Sequence, residues 1–235
     1  MLQIIYIDEH IVAINKPAGL LVHRTAMDAH EQQFALQMLR DQLGQQVWPA
    51  HRLDKGTSGL LLFALNAEMA SRLGQAFEQG LNKKRYRALV RGWPAESGVI
   101  EHPLARDPEL PSAGQTMLSA RTDWQCLEQL EWPFSVEGRF ASSRYALVEA
   151  CPLTGRRHQI RRHLKHIAHP IIGDTTHGKG AHNRAVAAHL GLNRLWLHGL
   201  ELAFTHPATG AALLLHAPLG DEWQLLKNAS ETMPT

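Results

Sequence analysis

Apolar positions along the chain repeat with two different periods, and each change of period marks a predicted element. The runs Ile4-Ile5-Tyr6-Ile7 and Ile11-Val12-Ala13-Ile14 are β-prone and flank the turn-like Asp8-Glu9-His10, which predicts two strands. Asn15-Lys16-Pro17-Ala18-Gly19 then breaks the pattern. Residues from Glu31 to Leu43 fit a helix with Phe34, Met38 and Leu39 inward, and Gly44 is placed to stop it. Thr57 to Leu65 reads as a strand, apolar on both faces from Leu60 onward, as expected for a strand central in a sheet. Asn66 is a fitting N-cap for a helix over Ala67 to Leu81, with Met69, Leu73, Ala76 and Phe77 at helical spacing.

The period then changes to two. In "RYRALVRG", Tyr86, Ala88 and Val90 share one strand face, while Arg85, Arg87, Leu89 and Arg91 take the other. Residues from Pro103 to Gly138 are rich in Pro, Gly, Ser and charge, and their weak periodicity predicts irregular connections with one or two strands. "SRYALVEAC" is a predicted strand. Ile160, Leu164 and Ile167 mark a helical stripe that Pro170 is expected to end. "LWLHGLELAFTH", the turn "PATG" and "AALLLHAP" predict a hairpin, and a short helix follows around Asp221 to Lys227. With no internal repeat and no long linker, the expectation is a single α+β domain over residues 1–235, with a mixed, mostly antiparallel sheet flanked by helices.

Composition narrows the class. A hydrophobic content of 44% supports a sizeable core. Two cysteines, Cys126 and Cys151, are too few for a disulfide framework and match no zinc spacing, which points to a reducing compartment. Asp8 and Glu9 interrupt the N-terminal apolar stretch, no basic leader precedes it, and no apolar run approaches a membrane span, so the cytoplasm is the default location.

Net charge is only +2, but its placement is uneven. Pro152 to Gly173 contains no acidic residue and holds Arg156, Arg157, Arg161, Arg162 and Lys165. "NKKRYRALVR" holds Lys83, Lys84, Arg85, Arg87 and Arg91. Two such clusters in a nearly neutral chain suggest a polyanion-binding face, against the alternative of two solvated charged faces.

The candidate chemistry centres on "AHRLDKGTSGLLLFALN", where His51, Arg52 and Asp54 precede a small-residue turn. Asp54-Lys55-Gly56 is good turn chemistry in itself. Further on, Arg157, Arg161 and Lys165 fall at i, i+4 and i+8, a basic stripe bordering the apolar one. A cation at the margin of a core needs an anion, either a surface glutamate or phosphate, or a cleft carboxylate such as Asp54. His158, His163, His166 and His169 match neither a metalloprotease nor a zinc-finger spacing and lack a carboxylate or cysteine companion, so no metal is expected. Ser58 lacks the nucleophile-elbow pattern and reads as a turn residue.

"HRLDKGTSG" resembles the HRLDxxTSG signature of the RluA family of pseudouridine synthases at every fixed position. "KRYRALV" resembles the family's K-x-Y-x-A segment, and "TGRRHQIRRHL" its GRxHQ(I/L)RxHL segment, in the family's order. The flanks "IDEHIVAINKPAGLLVH", "HPIIGD" and "HPATG" agree as well, and the similarity is weakest from Asp107 to Arg139.

The resemblance implies a pseudouridine synthase catalytic fold with a central RNA-binding cleft. It also implies isomerisation of a uridine in RNA without a cofactor, Asp54 as the catalytic aspartate, and Tyr86 and Arg161 as its companions. On that basis an Asp54–Arg161 ion pair is expected to keep the carboxylate charged. Asp54 could then act either as a nucleophile on the sugar or as a base at its 2′ position. Tyr86 would stack on uracil, Arg52 would hold or replace the flipped nucleotide, and His51 would orient the loop or contact RNA. Lys83, Lys84, Arg85, Arg157 and Lys165 would meet phosphates.

Because the catalytic pattern starts at the first residues, the resemblance leads to the expectation of no small N-terminal RNA-binding module like that of several ribosomal-RNA members. The stretch from Arg161 to His198, through Asn183, Arg184 and Gly191, most resembles the family's tRNA group, which modifies uridine 65 of the T-stem. tRNA is thus the expected partner and a monomer the expected state. The alternatives are a sister enzyme acting on ribosomal RNA and a catalytically silent RNA-binding protein.

Overall fold

A computed structural model describes residues 1–24, 31–111, 113–136, 138 and 140–231. In chain order they form β1 (Gln3–Ile7), β2 (Ile11–Lys16), α1 (Ala35–Leu43), β3 (Trp48–Pro49), β4 (Ser58–Ala64) and α2 (Ala67–Glu78). Next come β5 (Lys83–Arg91), β6 (Ser97–Glu101), β7 (Leu104–Ala105), β8 (Met117–Leu118), β9 (Arg121–Trp132) and β10 (Ser143–Pro152). α3 (Gln159–His166), α4 (Gly180–Leu190), β11 (Leu197–Thr205), β12 (Ala212–His216) and α5 (Gln224–Glu231) complete the order. Contacts divide the chain into two compact units, Met1–Lys84 with His198–Pro218, and Arg85–Leu197 with Leu219–Thr235.

In the first unit β2 pairs antiparallel with β1 and with β4, and β11 pairs parallel with the start of β4. Every residue of β4 is buried, which accounts for its unbroken apolar run. Leu60, Leu62 and Ala64 pack on one face with Met69 and Leu73 of α2, while Leu61 and Phe63 are buried on the other. Gly59 permits the closest approach. A Cβ there would lie 2.2 Å from the Gly199 carbonyl oxygen, and its φ of +108° is open only to glycine. The predicted C-terminal hairpin forms, with β11 and β12 closing at Thr205 and Ala212.

The second unit is an antiparallel sheet in the order β5, β10, β9, β6. α3 covers one face through Ile160 and Leu164, against Ala88, Val90, Ala146 and Val148. α4 and α5 cover the other through Val186 and Leu226, against Leu89, Tyr145 and Leu147. The alternation read in "RYRALVRG" therefore separates two real faces.

Three boundaries differ from the sequence reading, each for a physical reason. α1 starts at Ala35, because Phe34 is extended (φ −136°) and bridges to Leu21. Within it Leu39 is fully buried, and Met38 only partly. α2 ends at Glu78, and Gly80 takes a positive φ of 70°. α3 ends before Pro170 is reached, since Ala168 turns left-handed at φ 66° and the Ala168 and His169 amides donate to the Lys165 and Leu164 carbonyls.

The region read as irregular, Pro103 to Gly138, contains the long strand β9. Its register against β10 slips between Leu147 and Val148, which leaves Leu127 as the extra residue of a bulge. Trp124 and Cys126 thus pack on the α3 side, whereas Leu130 and Trp132 pack on the other. A pattern that changes face midway gives no single period to read.

Candidate active site

The loop that carries Asp54 is held from three sides. Upstream, Ala50 donates its amide to the Leu62 carbonyl at 2.9 Å, and Nε2 of His51 accepts the Leu62 amide at 3.2 Å. The His51 ring also stacks on Phe77, with centroids 5.0 Å apart. Burial, then the neighbouring Lys84 charge, push the His51 pKa down to about 3, against a hydrogen bond with the Arg52 backbone. This imidazole is neutral at physiological pH and carries its proton on Nδ1.

Around Asp54 itself, the Thr57 amide donates to the Asp54 carbonyl at 3.0 Å and the Gly19 amide to the Lys55 carbonyl at 2.9 Å. Beneath the loop lies Lys16, fully buried, whose ammonium donates to the carbonyls of Pro17, Leu20 and Lys55 at 2.9, 2.7 and 3.3 Å. A buried ammonium is tolerated only when such acceptors surround it. Leu53 is buried, Asp54 is half-buried and Arg52 is exposed. The signature thus presents a carboxylate on a backbone with little freedom to move.

In the second unit Tyr86 packs at the edge of the α3-side core, opposite Ala150 in the ladder. Its neighbours Arg85 and Arg87 turn the other way and reach Glu149 at 3.3 and 3.8 Å. Lys83 is exposed, and Lys84, in the first unit, places its ammonium 5.7 Å from the Phe77 ring centroid.

The basic stripe of α3 is partly dismantled by the helix start. His158 takes the left-handed conformation at φ 54°, so the helix begins at Gln159 and Arg157 lies outside it. Arg157 pairs with Asp107 at 3.4 Å and with Glu109. Arg156 and Arg162 donate to the Ser119 and Ala105 carbonyls. Three arginines of the acid-free run therefore bind the segment around β7 and β8. Lys165 remains exposed on α3.

Arg161 is 7% exposed, inside the core and not at its margin. Its Nε and Nη2 donate to Oδ2 and Oδ1 of Asp174 at 2.7 and 2.8 Å. Burial works to raise the Asp174 carboxyl, but the hydrogen bonds and charge of Arg161, with the His177 amide, outweigh it and hold the group below the usual carboxylate range. Burial pushes His177 down to about 4, with Asp174 pulling the other way and Arg161, His158 and Lys165 adding to the fall.

Sequence reasoning gave no role to Asp174 or Lys16. One signal was present: the acid-free run ends at Asp174, and a buried arginine inside such a run needs a carboxylate from just beyond it. Gln159 was missed too. Its amide accepts from Thr154 Oγ1 and the Arg156 amide and donates to the Arg121 carbonyl and Thr122 Oγ1, which nails α3 to β9. The α3 histidines are separately engaged: His163 with Thr122 Oγ1 and the His102 carbonyl, His166 stacked on His102, His158 on His177, and His169 on the Arg91 carbonyl.

The RNA pseudouridylate synthase family profile matches residues 10–166, a span that contains all three sequence motifs, while the flanks HPIIGD and HPATG lie beyond it. A relative from Vibrio cholerae named tRNA pseudouridine synthase C is 47% identical over 95% of this chain and 93% of its own length. One of the same name from Haemophilus ducreyi is 48% identical over 97% and 95%. Among solved structures, human RNA pseudouridylate synthase domain containing 4 matches with a TM-score of 0.71 at 26% identity, covering 99% of this chain and 95% of that one. With the signature loop, the strand bearing Tyr86 and the buried Arg161 all inside the matched span, this chain belongs to the RNA pseudouridylate synthase family.

Proposed function

We propose that the chain isomerises a uridine of tRNA to pseudouridine, uridine 65 of the T-stem, with Asp54 as the catalytic carboxylate. The observation that carries this reading is the Asp54 loop, pinned at His51, Thr57 and Lys55 so that one carboxylate keeps a fixed place. The relatives named as tRNA synthases, alike over nearly the whole chain, support tRNA as the substrate.

The N1–C1′ bond breaks, the uracil turns, the C5–C1′ bond forms, and the proton lost from C5 is balanced by one gained at N1. No redox partner or cofactor is required. Asp54 serves as nucleophile at C1′ or as base at C2′, and both roles need it ionised. Arg161 is its cationic companion in the reaction, and Tyr86 stacks on the base. A uridine in a stem must leave its stack first, at a cost of about a few kcal/mol, and the exposed Arg52 takes the vacated place. Exposed Lys83 and Lys165 meet phosphates, joined by Arg85 once it parts from Glu149, whereas Arg157 stays with Asp107 and Glu109. The whole chain acts as one catalytic domain, as a monomer and in the cytoplasm. Among the described residues no helix is long and apolar enough to cross a membrane.

The test is tritium release from tRNA labelled at uridine C5, with ribosomal RNA in parallel. Release from tRNA that disappears in Asp54→Ala and in tRNA lacking uridine at position 65 is the expected result. Release that persists in Asp54→Ala overturns the catalyst. Release from ribosomal RNA alone overturns the substrate, and none from any RNA leaves a binding protein.

A further inference from the structure

The turn after α3 is built around one carboxylate. Asp174 Oδ1 accepts the Thr176 and His177 amides at 2.9 and 2.8 Å, in addition to its hydrogen bond from Arg161. The Asp174 carbonyl accepts the Gly178 amide at 3.1 Å and Asn183 Nδ2 at 2.9 Å, and Asn183 Oδ1 accepts the Gly173 amide at 2.9 Å. Space around the turn is used up: a Cβ on Gly173 would fall 1.7 Å from the Arg194 carbonyl oxygen, and one on Gly178 would fall 2.2 Å from that of Asp174. Asn183 belongs to α4.

Simple neutralisation of a buried cation needs one acceptor, but this arrangement supplies a two-point fork whose own position is fixed by the start of α4. A guanidinium gripped at Nε and Nη2 cannot rotate about its last bond, so the edge bearing Nη1 points in one direction. We propose that Asp174 is the positioning residue for Arg161, aiming its Nη1 edge at the reacting uridine site, with Asn183 holding the Asp174 backbone and the Thr176 and His177 amides holding its carboxylate. This rests on Arg161 acting in the reaction, as assigned above. Asp174 touches neither substrate nor reacting atoms.

A double-mutant cycle decides it. Asp174→Asn keeps the shape but sets an N–H₂ against one of the two guanidinium donors. In single-turnover assays on tRNA at a temperature where the protein is folded, kcat is expected to fall about a hundredfold, the scale of a misplaced catalytic group. KM should stay within about threefold, because the group acts on the reaction step and not on docking. In an Arg161→Gln background, Asp174→Asn should then add less than about a twofold loss.

Equal losses in both backgrounds, or a KM rise with kcat intact, overturn the inference. Full activity in Arg161→Gln overturns the role of Arg161 and the inference with it, whereas an impaired Arg161→Gln beside an intact Asp174→Asn overturns the inference alone. Should Asp174→Asn fail to fold, Arg161→Lys decides: it keeps the charge and loses the fork. A kcat close to that of Arg161→Gln supports positioning, and a kcat above about a third of wild type overturns it.

Discussion

Ser58 and His198 meet across the parallel ladder of β4 and β11, with Oγ 2.9 Å from Nδ1. The far nitrogen, Nε2, donates to the Ala217 carbonyl at 3.1 Å, so Nδ1 is the acceptor and the serine hydroxyl the donor. A hydroxyl giving its proton to an oriented imidazole is the arrangement of an activated nucleophile. Here the side chains belong to residues only 5% and 1% exposed, closed to any substrate. The pair joins two strands immediately after the loop that carries Asp54.

Ser58→Ala is therefore expected to destabilise the fold by about 1–3 kcal/mol, the range for losing one partner of a buried hydrogen bond. The rate of pseudouridine formation per folded molecule should not change. Urea unfolding gives the first quantity and a tRNA assay at low temperature the second. A rate loss without a stability loss would contradict the assignment.

Much of this was legible in the sequence because local signals and tertiary demands agree. β4 reads as central and has every residue buried, and Asn66 reads as a cap and accepts the Met69 amide at 2.9 Å. Illegible parts are those where one residue serves two distant segments. α4 has only His182 and Val186 buried among its described side chains, so its sequence carries no apolar stripe. β9 changes face at Leu127 and hides its own period. Arg157 has the spacing of a helix-face cation yet lies before the helix, because nothing in the sequence announces a left-handed His158. Asp54 stands out from its motif, whereas the grip of Asp174 on Arg161 depends on a turn after α3 that no local pattern spells out.

Two neutral histidines make stability depend on pH. His51 is held at about 3 and His177 at about 4, against about 6.5 for an unperturbed imidazole. Both folded values lie below the unfolded one, so between them the unfolded chain binds more protons and stability rises with pH. Their contribution is complete above about pH 6.5 and is lost as pH falls toward 4. Asp174, also depressed, adds a loss only at pH values below the ordinary carboxylate range. Unfolding free energy measured from pH 4.5 to 6 should rise by up to about 2.7 kcal/mol per pH unit from these two groups. His51→Gln should remove about half of that slope, one proton's worth. An unchanged slope in the variant would mean that His51 titrates as it does in the unfolded chain.

The salt dependence of tRNA binding separates cations that face water from cations already paired. Lys165 is exposed on α3, while Arg157 is held by Asp107 and Glu109. Each cation that neutralises a phosphate releases counterions, which steepens the fall of affinity with salt by about 0.7 to 0.9 in the log–log slope. Lys165→Ala is expected to reduce the slope by about that amount. Arg157→Ala removes a charge that two carboxylates already offset, and those carboxylates repel phosphate once released. Its slope should change by less than half as much, and its larger effect should be on the order of the segment from Leu104 to Leu118, read by hydrogen exchange of the β7 and β8 amides. Equal slope changes in the two variants would show that Arg157 leaves its carboxylates to meet the RNA backbone.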